Sequence, residues 1–330
     1  MKRFLIIQTA FIGDVILATS VVEKLHQYYP NAEIDFVLRK GNEGLLVGHP
    51  FVKNVFIWNK REKKIKNLFL ILKQVKARKY DYAVSIHRFA SAGLLLALSG
   101  AKVKVGFDKN PVSNLFTKKI KHIIGDGRHE VERNQELIKS ITDKEFAKPK
   151  LYPTNENYNA VSKYKTSKYV CVAPTSVWFT KQFPKEKWIE LINALPYEMI
   201  YLLGASGDYD FCEDIISTVN SEKKEHCINL AGKLNFLESA ALMDDAKMNY
   251  VNDSAPMHIA SAMNAATTAI YCSTVPAFGF GPLSDNAKMV EIKEKLECRP
   301  CGLHGHKECP KKHFNCGYSI EISDLTTLDL

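Results

Sequence analysis

Short apolar runs alternate with stretches of helical spacing along nearly the whole chain. In the first half, runs at residues 4–7, 34–38, 52–57, 82–85 and 103–105 are brief, rich in β-branched and aromatic residues, and predict strands. Between them, apolar residues recur at helical spacing over 15–29, 65–77 and 90–98, and later over 130–141. Within 65–77, Leu68, Phe69, Leu72 and Val75 form the expected core stripe. The second half repeats the habit, with strands expected at 169–173, 199–203, 227–229, 248–251 and 267–271. Its helices are expected at 185–195, 208–219, 236–246 and 256–263. Such alternation in both halves predicts an α/β protein of two parallel-sheet domains, each with helices on both faces. A chain of 330 residues is long for one core of ordinary size. The expected domains are 1–150 and 151–330, with the polar segment 148–168, which carries Pro149 and Pro153, as linker.

Charge divides the same way. Residues 1–150 hold 28 Lys and Arg against 14 Asp and Glu, whereas 151–330 hold 17 against 22. A basic first half fits nucleic acid, an anionic membrane surface, an anionic substrate, or plain solvated lysine. The eight cations of residues 61–80 lack the interleaved exposed aromatics of a nucleic-acid surface, so no nucleic-acid partner is expected. At the start of the chain, Gln8 and Asp14 interrupt the apolar run, which reads as a strand and helix rather than a secretory signal. No apolar run approaches the roughly 20 residues of a membrane span, and a cytoplasmic protein is expected. Cys171, Cys212, Cys227 and Cys272 are scattered singly and read as reduced core thiols.

In open parallel sheets the ligand crevice lies beyond the carboxyl ends of the strands. Residues 8–14, 87–88, 174–181, 204–208 and 252–258 therefore matter most. Asn252, Asp253 and Ser254 stand where a strand hands over to a helix, whose free N–H groups and dipole favour an anion. Asp253 or Ser254 serves equally well as a helix cap. His258 lies four residues after Ser254 and shares its helix face. Thr175, Ser176 and Thr180 offer hydroxyls and Lys181 a point charge, a set suited to a diphosphate or to an ordinary polar loop. Asp208 fits a ribose hydroxyl or a cap, and no dinucleotide or P-loop fingerprint accompanies it. Gly13 permits close backbone approach. Asp14 at the start of the first helix is a cap or a general base, and the helix terminus is expected to keep it a weak base.

These residues carry a resemblance. The stretch from Phe11 to Thr19, FIGDVILAT, resembles the N-terminal motif of ADP-heptose:lipopolysaccharide heptosyltransferases, glycosyltransferase family 9. Ser99-Gly100-Ala101-Lys102, Val105-Gly106-Phe107 and His129-Glu130-Val131-Glu132-Arg133-Asn134 resemble further motifs of that family, as do residues 174–188 and 252–260. One departure is Ala255, where the family usually has Gly. The resemblance implies a GT-B fold, two Rossmann-like domains facing each other across a cleft, and an inverting transfer that requires no cofactor. It implies a nucleotide-sugar donor site in the second domain, built from Thr175, Ser176, Thr180, Lys181, Asp208, Leu234, Asp253, Ser254, Ala255 and His258, with Gly13 added from the first. It implies an anionic lipopolysaccharide-core acceptor on the first domain, near Arg61, Lys63, Lys64, Arg88 and Arg133, with Asp14 and Lys181 catalytic. Peripheral contact with the inner face of the inner membrane follows from such an acceptor. Two alternatives stay open: another nucleotide sugar in the same family, and a basic nucleic-acid-binding protein.

Cys298, Cys301, Cys309 and Cys316 follow a C-x2-C-x7-C-x6-C spacing with His304, His306 and His313 among them. Taken alone, this reads as a structural zinc knuckle. A similar tail occurs in the heptosyltransferases, which are not zinc enzymes as a class, so packed reduced thiols are the competing reading.

Overall fold

Strands buried on both faces demand continuous apolar runs, and the chain supplies them at the centre of two sheets. The computed structural model describes residues 1–196 and 198–326, and the chain divides into units Met1–Tyr152 and Pro153–Leu330. Tyr197 and residues 327–330 of the expected second domain lie outside the described residues.

In the first unit, β1 (Arg3–Ile7), β2 (Glu33–Arg39), β3 (Val52–Trp58), β4 (Tyr82–Ser85), β5 (Val103–Phe107) and β6 (Lys118–Ile120) form one parallel sheet, ordered β3-β2-β1-β4-β5-β6. Ile7 registers with Val37 on one side and Ser85 on the other. Helices α1 (Ile12–Tyr28), α2 (Lys64–Arg78), α3 (Ala90–Ala97) and α4 (Glu130–Glu136) belong to this unit. The α4 helix stops five residues short of its expected end.

The second unit holds α5 (Asn155–Val161), β7 (Tyr169–Ala173), α6 (Lys185–Ala194), β8 (Met199–Leu202), α7 (Tyr209–Thr218), α8 (Ser221–Lys224) and β9 (Cys227–Asn229). After them come α9 (Phe236–Asp244), β10 (Asn249–Asn252), α10 (Ala255–Met263), β11 (Thr267–Tyr271) and β12 (Ala287–Glu291). Its sheet is also parallel, ordered β12-β11-β10-β7-β8-β9. In each unit the first strand sits inside the sheet and its later neighbours leave on opposite sides. The switch points, where loops diverge and leave room for a ligand, are therefore β1/β4 and β7/β10.

Three expectations need correction. The expected linker spans the boundary between the units but is not bare chain: Thr154 caps α5, Val161 is buried, and Tyr158 donates to Asp244 of α9 at 2.9 Å. The strands β6 and β12 escape the apolar pattern because they are mostly exposed along their length, each closing one end of its sheet. On α2, Leu68, Ile71, Leu72 and Val75 face the core, while Phe69 points outward and is 63% exposed. Among the described residues, no helix is long and apolar enough to cross a membrane.

Candidate active site

Each switch point gathers charge. In the second unit, Asn252 ends β10 and is fully buried. Its side-chain amide donates to the carbonyls of Ala173 and Thr175, and its oxygen accepts from Phe183 N at 2.8 Å. One side chain thus ties the β10 end to the loop after β7. Asp253 follows, and its carboxylate accepts the Thr274 hydroxyl at 2.7 Å and pairs with Lys181 Nζ at 2.7 Å. Its backbone N–H donates to Ile270 O. Its amide is thus engaged with the sheet and its anion with Lys181. Asp253 is an orienting group for the lysine.

Ser254 occupies the cap position of α10, but its hydroxyl turns back to Asn252 O instead of capping. Ala255 opens the helix, and His258 is buried within it. Thr175 and Ser176 are partly exposed in the loop after β7. Thr180 is not, at 1% exposure. Its hydroxyl accepts from His306 N at 2.7 Å and from Ser273 Oγ at 3.0 Å. Thr180 therefore fastens the cysteine-rich segment and braces the chain beside Lys181. Asp208 accepts from Ala205 N at 2.7 Å, which leaves it a turn-stabilising role at the β8 end. Leu234 is half-buried in the turn before α9.

The brace extends further. Arg299 donates to the carbonyls of Cys272 and Thr274 at 2.7 Å, and Cys301 N donates to Ser273 O. A Cβ on Gly305, whose φ is +75°, would lie 2.8 Å from Thr180 Oγ1 and 3.1 Å from Lys181 Cγ. Cys298 Sγ lies 3.8 Å from His313 Nε2, and burial pushes the Cys316 thiol up to about 12. Among the described residues, no three His, Cys, Asp or Glu side chains are grouped as ligands of one ion, so the zinc reading finds no support in the geometry.

In the first unit, Asp14 falls in the first turn of α1, where its carboxylate accepts from Phe11 N at 3.2 Å. Burial pushes it up to about 6, helped by the Glu130 carboxylate and opposed by the Phe11 amide and Arg88. This reverses the expectation of a weak base, because desolvation outweighs the helix terminus here. Beside it, Lys60 Nζ donates to Thr9 O at 3.0 Å and Thr9 Oγ1 at 2.8 Å. The Thr9 hydroxyl proton is then free for His87 Nδ1, 2.9 Å away. Burial, with Lys60, Arg88 and Arg39 nearby, holds His87 down at about 3, a neutral acceptor at ordinary pH. Burial, Lys64 and Arg39 bring Lys60 to about 8.

The predicted acceptor cations separate into two kinds. Arg61, Lys63 and Lys64 are exposed at the start of α2. Arg88 reaches His122 Nδ1 at 3.4 Å, and His122 Nε2 meets Glu130 at 3.2 Å. Glu130 in turn binds Arg133 Nε at 2.7 Å. Arg133 is 1% exposed, also donates to Arg128 O, and compensates the charge of buried Glu130. Lys60 went unnoticed in the sequence although it follows β3 as closely as His87 follows β4.

Two Rossmann-like units, each with charged groups gathered at its switch point, define a glycosyltransferase of the GT-B class. The family model for glycosyltransferase family 9 (heptosyltransferase) matches residues 69–313, and the chain belongs to that family. It is 29% identical over 295 residues to lipopolysaccharide heptosyltransferase 3 of Escherichia coli, covering 84% of this chain and 85% of that one. The fold is similar to that of E. coli ADP-heptose lps heptosyltransferase II, with TM-score 0.78, 21% identity and coverage of 91% and 96%. It is equally similar to a glycosyltransferase family 9 protein from Veillonella parvula, with TM-score 0.78, 20% identity and coverage of 88% and 85%. Family membership gives the nucleic-acid reading no support.

Proposed function

We propose that the protein transfers heptose from ADP-heptose to the anionic inner core of lipopolysaccharide, acting from the cytoplasmic face of the inner membrane. The observation that carries this reading is the Lys181–Asp253 pair at the β7/β10 switch point, a cation fixed where a diphosphate would sit. In this reading the diphosphate lies on Lys181 and the first amides of α10, with Thr175 and Ser176 beside it. The acceptor lies on the first unit, drawn by Arg61, Lys63, Lys64, Lys60 and Arg88.

The acceptor hydroxyl oxygen attacks the anomeric carbon, and a new C–O bond forms as the bond to the diphosphate breaks. The bonding pair leaves with ADP, where Lys181 offsets the growing charge. The hydroxyl proton passes to Asp14, whose carboxyl near 6 is suited to receive it at neutral pH. Configuration at the carbon inverts. No step calls on the cysteine segment, which serves here by holding Thr180 and so Lys181.

The test is transfer itself. The purified protein, ADP-heptose and a deacylated inner-core acceptor should give a product heavier by one heptose, read by mass spectrometry. Turnover with a different nucleotide sugar and none with ADP-heptose would move the protein to another donor within the same family.

A further inference from the structure

The outer face of α2 departs from its sequence reading. Ile65, Phe69 and Leu70 are 69%, 63% and 51% exposed, while the opposite face of the same helix packs into the core. Between them on the outward arc stand Lys66, Lys73 and Lys76, all exposed, and no ion pair holds them among the described residues. The fifteen residues KIKNLFLILKQVKAR contain no acid at all. Lysines at the helix start even oppose the dipole, which is unfavourable unless an external anion compensates.

We infer that the outer face of α2 is a docking surface for an anionic lipid bilayer. The mixture of groups selects that occupant. A protein interface has a contiguous apolar centre depleted of lysine. Here lysine and large apolar side chains are interleaved on one arc. At a bilayer surface this arrangement is favourable: apolar side chains enter the headgroup boundary, and lysines lay their stems along it with ammonium groups at the phosphates. A helix of this length lying flat offers about 22 Å of contact. Lys64 begins this helix and Arg61 and Lys63 just precede it, so docking here brings the proposed acceptor cations to the membrane surface. The inference rests on the proposed membrane-bound acceptor and names the surface that meets it.

The experiment uses the full chain and sedimentation with vesicles of phosphatidylglycerol and phosphatidylcholine mixed about 3:7, against phosphatidylcholine alone. Wild type is expected to pellet with the anionic vesicles only and to be released by salt. Lys66→Gln with Lys73→Gln should weaken vesicle binding about thirtyfold, at roughly fivefold per lysine. Phe69→Ser with Leu70→Ser should weaken it by about tenfold or more through lost apolar insertion. Both pairs should keep the wild-type melting temperature and transfer to a deacylated, water-soluble acceptor within about twofold, since a surface change away from the site leaves both near wild type. The inference is overturned if wild type ignores anionic vesicles or if both variant pairs bind as wild type does. It is also overturned if light scattering shows a dimer that Phe69→Ser with Leu70→Ser dissolves without vesicle binding, which would make this face a contact with a second copy. Vesicle binding by a protein that transfers no sugar from ADP-heptose would uphold the docking surface while removing the proposed reaction.

Discussion

Lys181 and Asp253 are held 2.7 Å apart in the loops that follow neighbouring strands, and the Asp253 carboxylate is fixed in turn by Thr274. Neither side chain is more than 14% exposed. A lysine ammonium on a flexible stem is normally a poor positioning device. Here the carboxylate removes that freedom before any ligand arrives, and the lysine still has donors to give.

Lys181→Ala should weaken ADP binding about 10- to 150-fold, the loss of a charge-assisted contact of about 1.5–3 kcal/mol. The same change leaves Asp253 buried without its counter-charge and should lower stability. Lys181→Ala with Asp253→Asn should recover the melting temperature without recovering affinity. Calorimetry and thermal melts on the three proteins separate the two effects, and unchanged ADP affinity in Lys181→Ala would remove this lysine from the donor site.

Asp14→Asn should bind ADP normally and lose about 10²–10⁴-fold in kcat. In the wild type, kcat/KM should fall below pH 6 as the carboxylate takes its proton. Stability has the opposite sense. The folded state holds the Asp14 proton up to about 6 and the unfolded chain only to about 3.8, so stability declines as pH rises between those values. Asp14→Asn should therefore be more stable than wild type by about 1–2 kcal/mol above pH 6, and equal below pH 4. Denaturant melts at pH 3.5 and pH 7.5 check this, and equal stability at both would mean that burial does not tax the carboxylate.

Arg61→Ser with Lys64→Ser should raise acceptor KM and leave donor KM alone, and added salt should reproduce the effect in wild type because exposed charges are screened over about 8–10 Å. Arg133→Ala should behave otherwise. Removing the partner of buried Glu130 should cost about 3–5 kcal/mol of stability. Steady-state kinetics beside thermal melts distinguish the pair, and a folded Arg133→Ala protein with a purely acceptor-KM defect would return Arg133 to the binding set.

Thr180→Val keeps the shape and deletes the hydroxyl that accepts from His306 N and Ser273 Oγ. The buried Ser273 hydroxyl and the His306 amide then lose their partner, at about 1–3 kcal/mol. ADP affinity should drop with it, although Thr180 touches no ligand in the proposed reaction, and Thr180→Ser should restore both. ADP binding untouched in Thr180→Val would show that the brace does not reach Lys181.

The sequence showed the interior of both sheets well. Strands β4, β7 and β11 match their expected limits because burial on both faces leaves a readable apolar run. The exposed edge strand β6 carries no such mark, and its KKI could not be told from a loop. Phe69 shows a second limit. Helical spacing admitted either Phe69 or Ile71 to the core, and the neighbours that chose Ile71 are distant in sequence. At the site, the residue types and their strand-end positions were legible, yet their roles were not. Asp253, Thr180 and Arg133 look like ligand groups until their partners Thr274, His306 and Glu130 are in place. Lys60 was legible by the strand-end rule, and only its inconspicuous neighbourhood hid it.

The 126 residues that separate Thr180 from His306 set an order of events. A chain emerging from the ribosome has made every strand of the second sheet by Glu291, before the cysteine-rich segment exists. At that moment the Thr180 hydroxyl lacks the His306 amide and the Lys181 stem lacks Gly305 against it. A nascent or prematurely stopped product would thus have every strand of the sheet but lack Phe314, Ile320 and Leu325 from its core, with Lys181 unsteadied. If Lys181 holds the sugar nucleotide as proposed, competence to bind it comes late in synthesis, after the cysteine-rich segment is made.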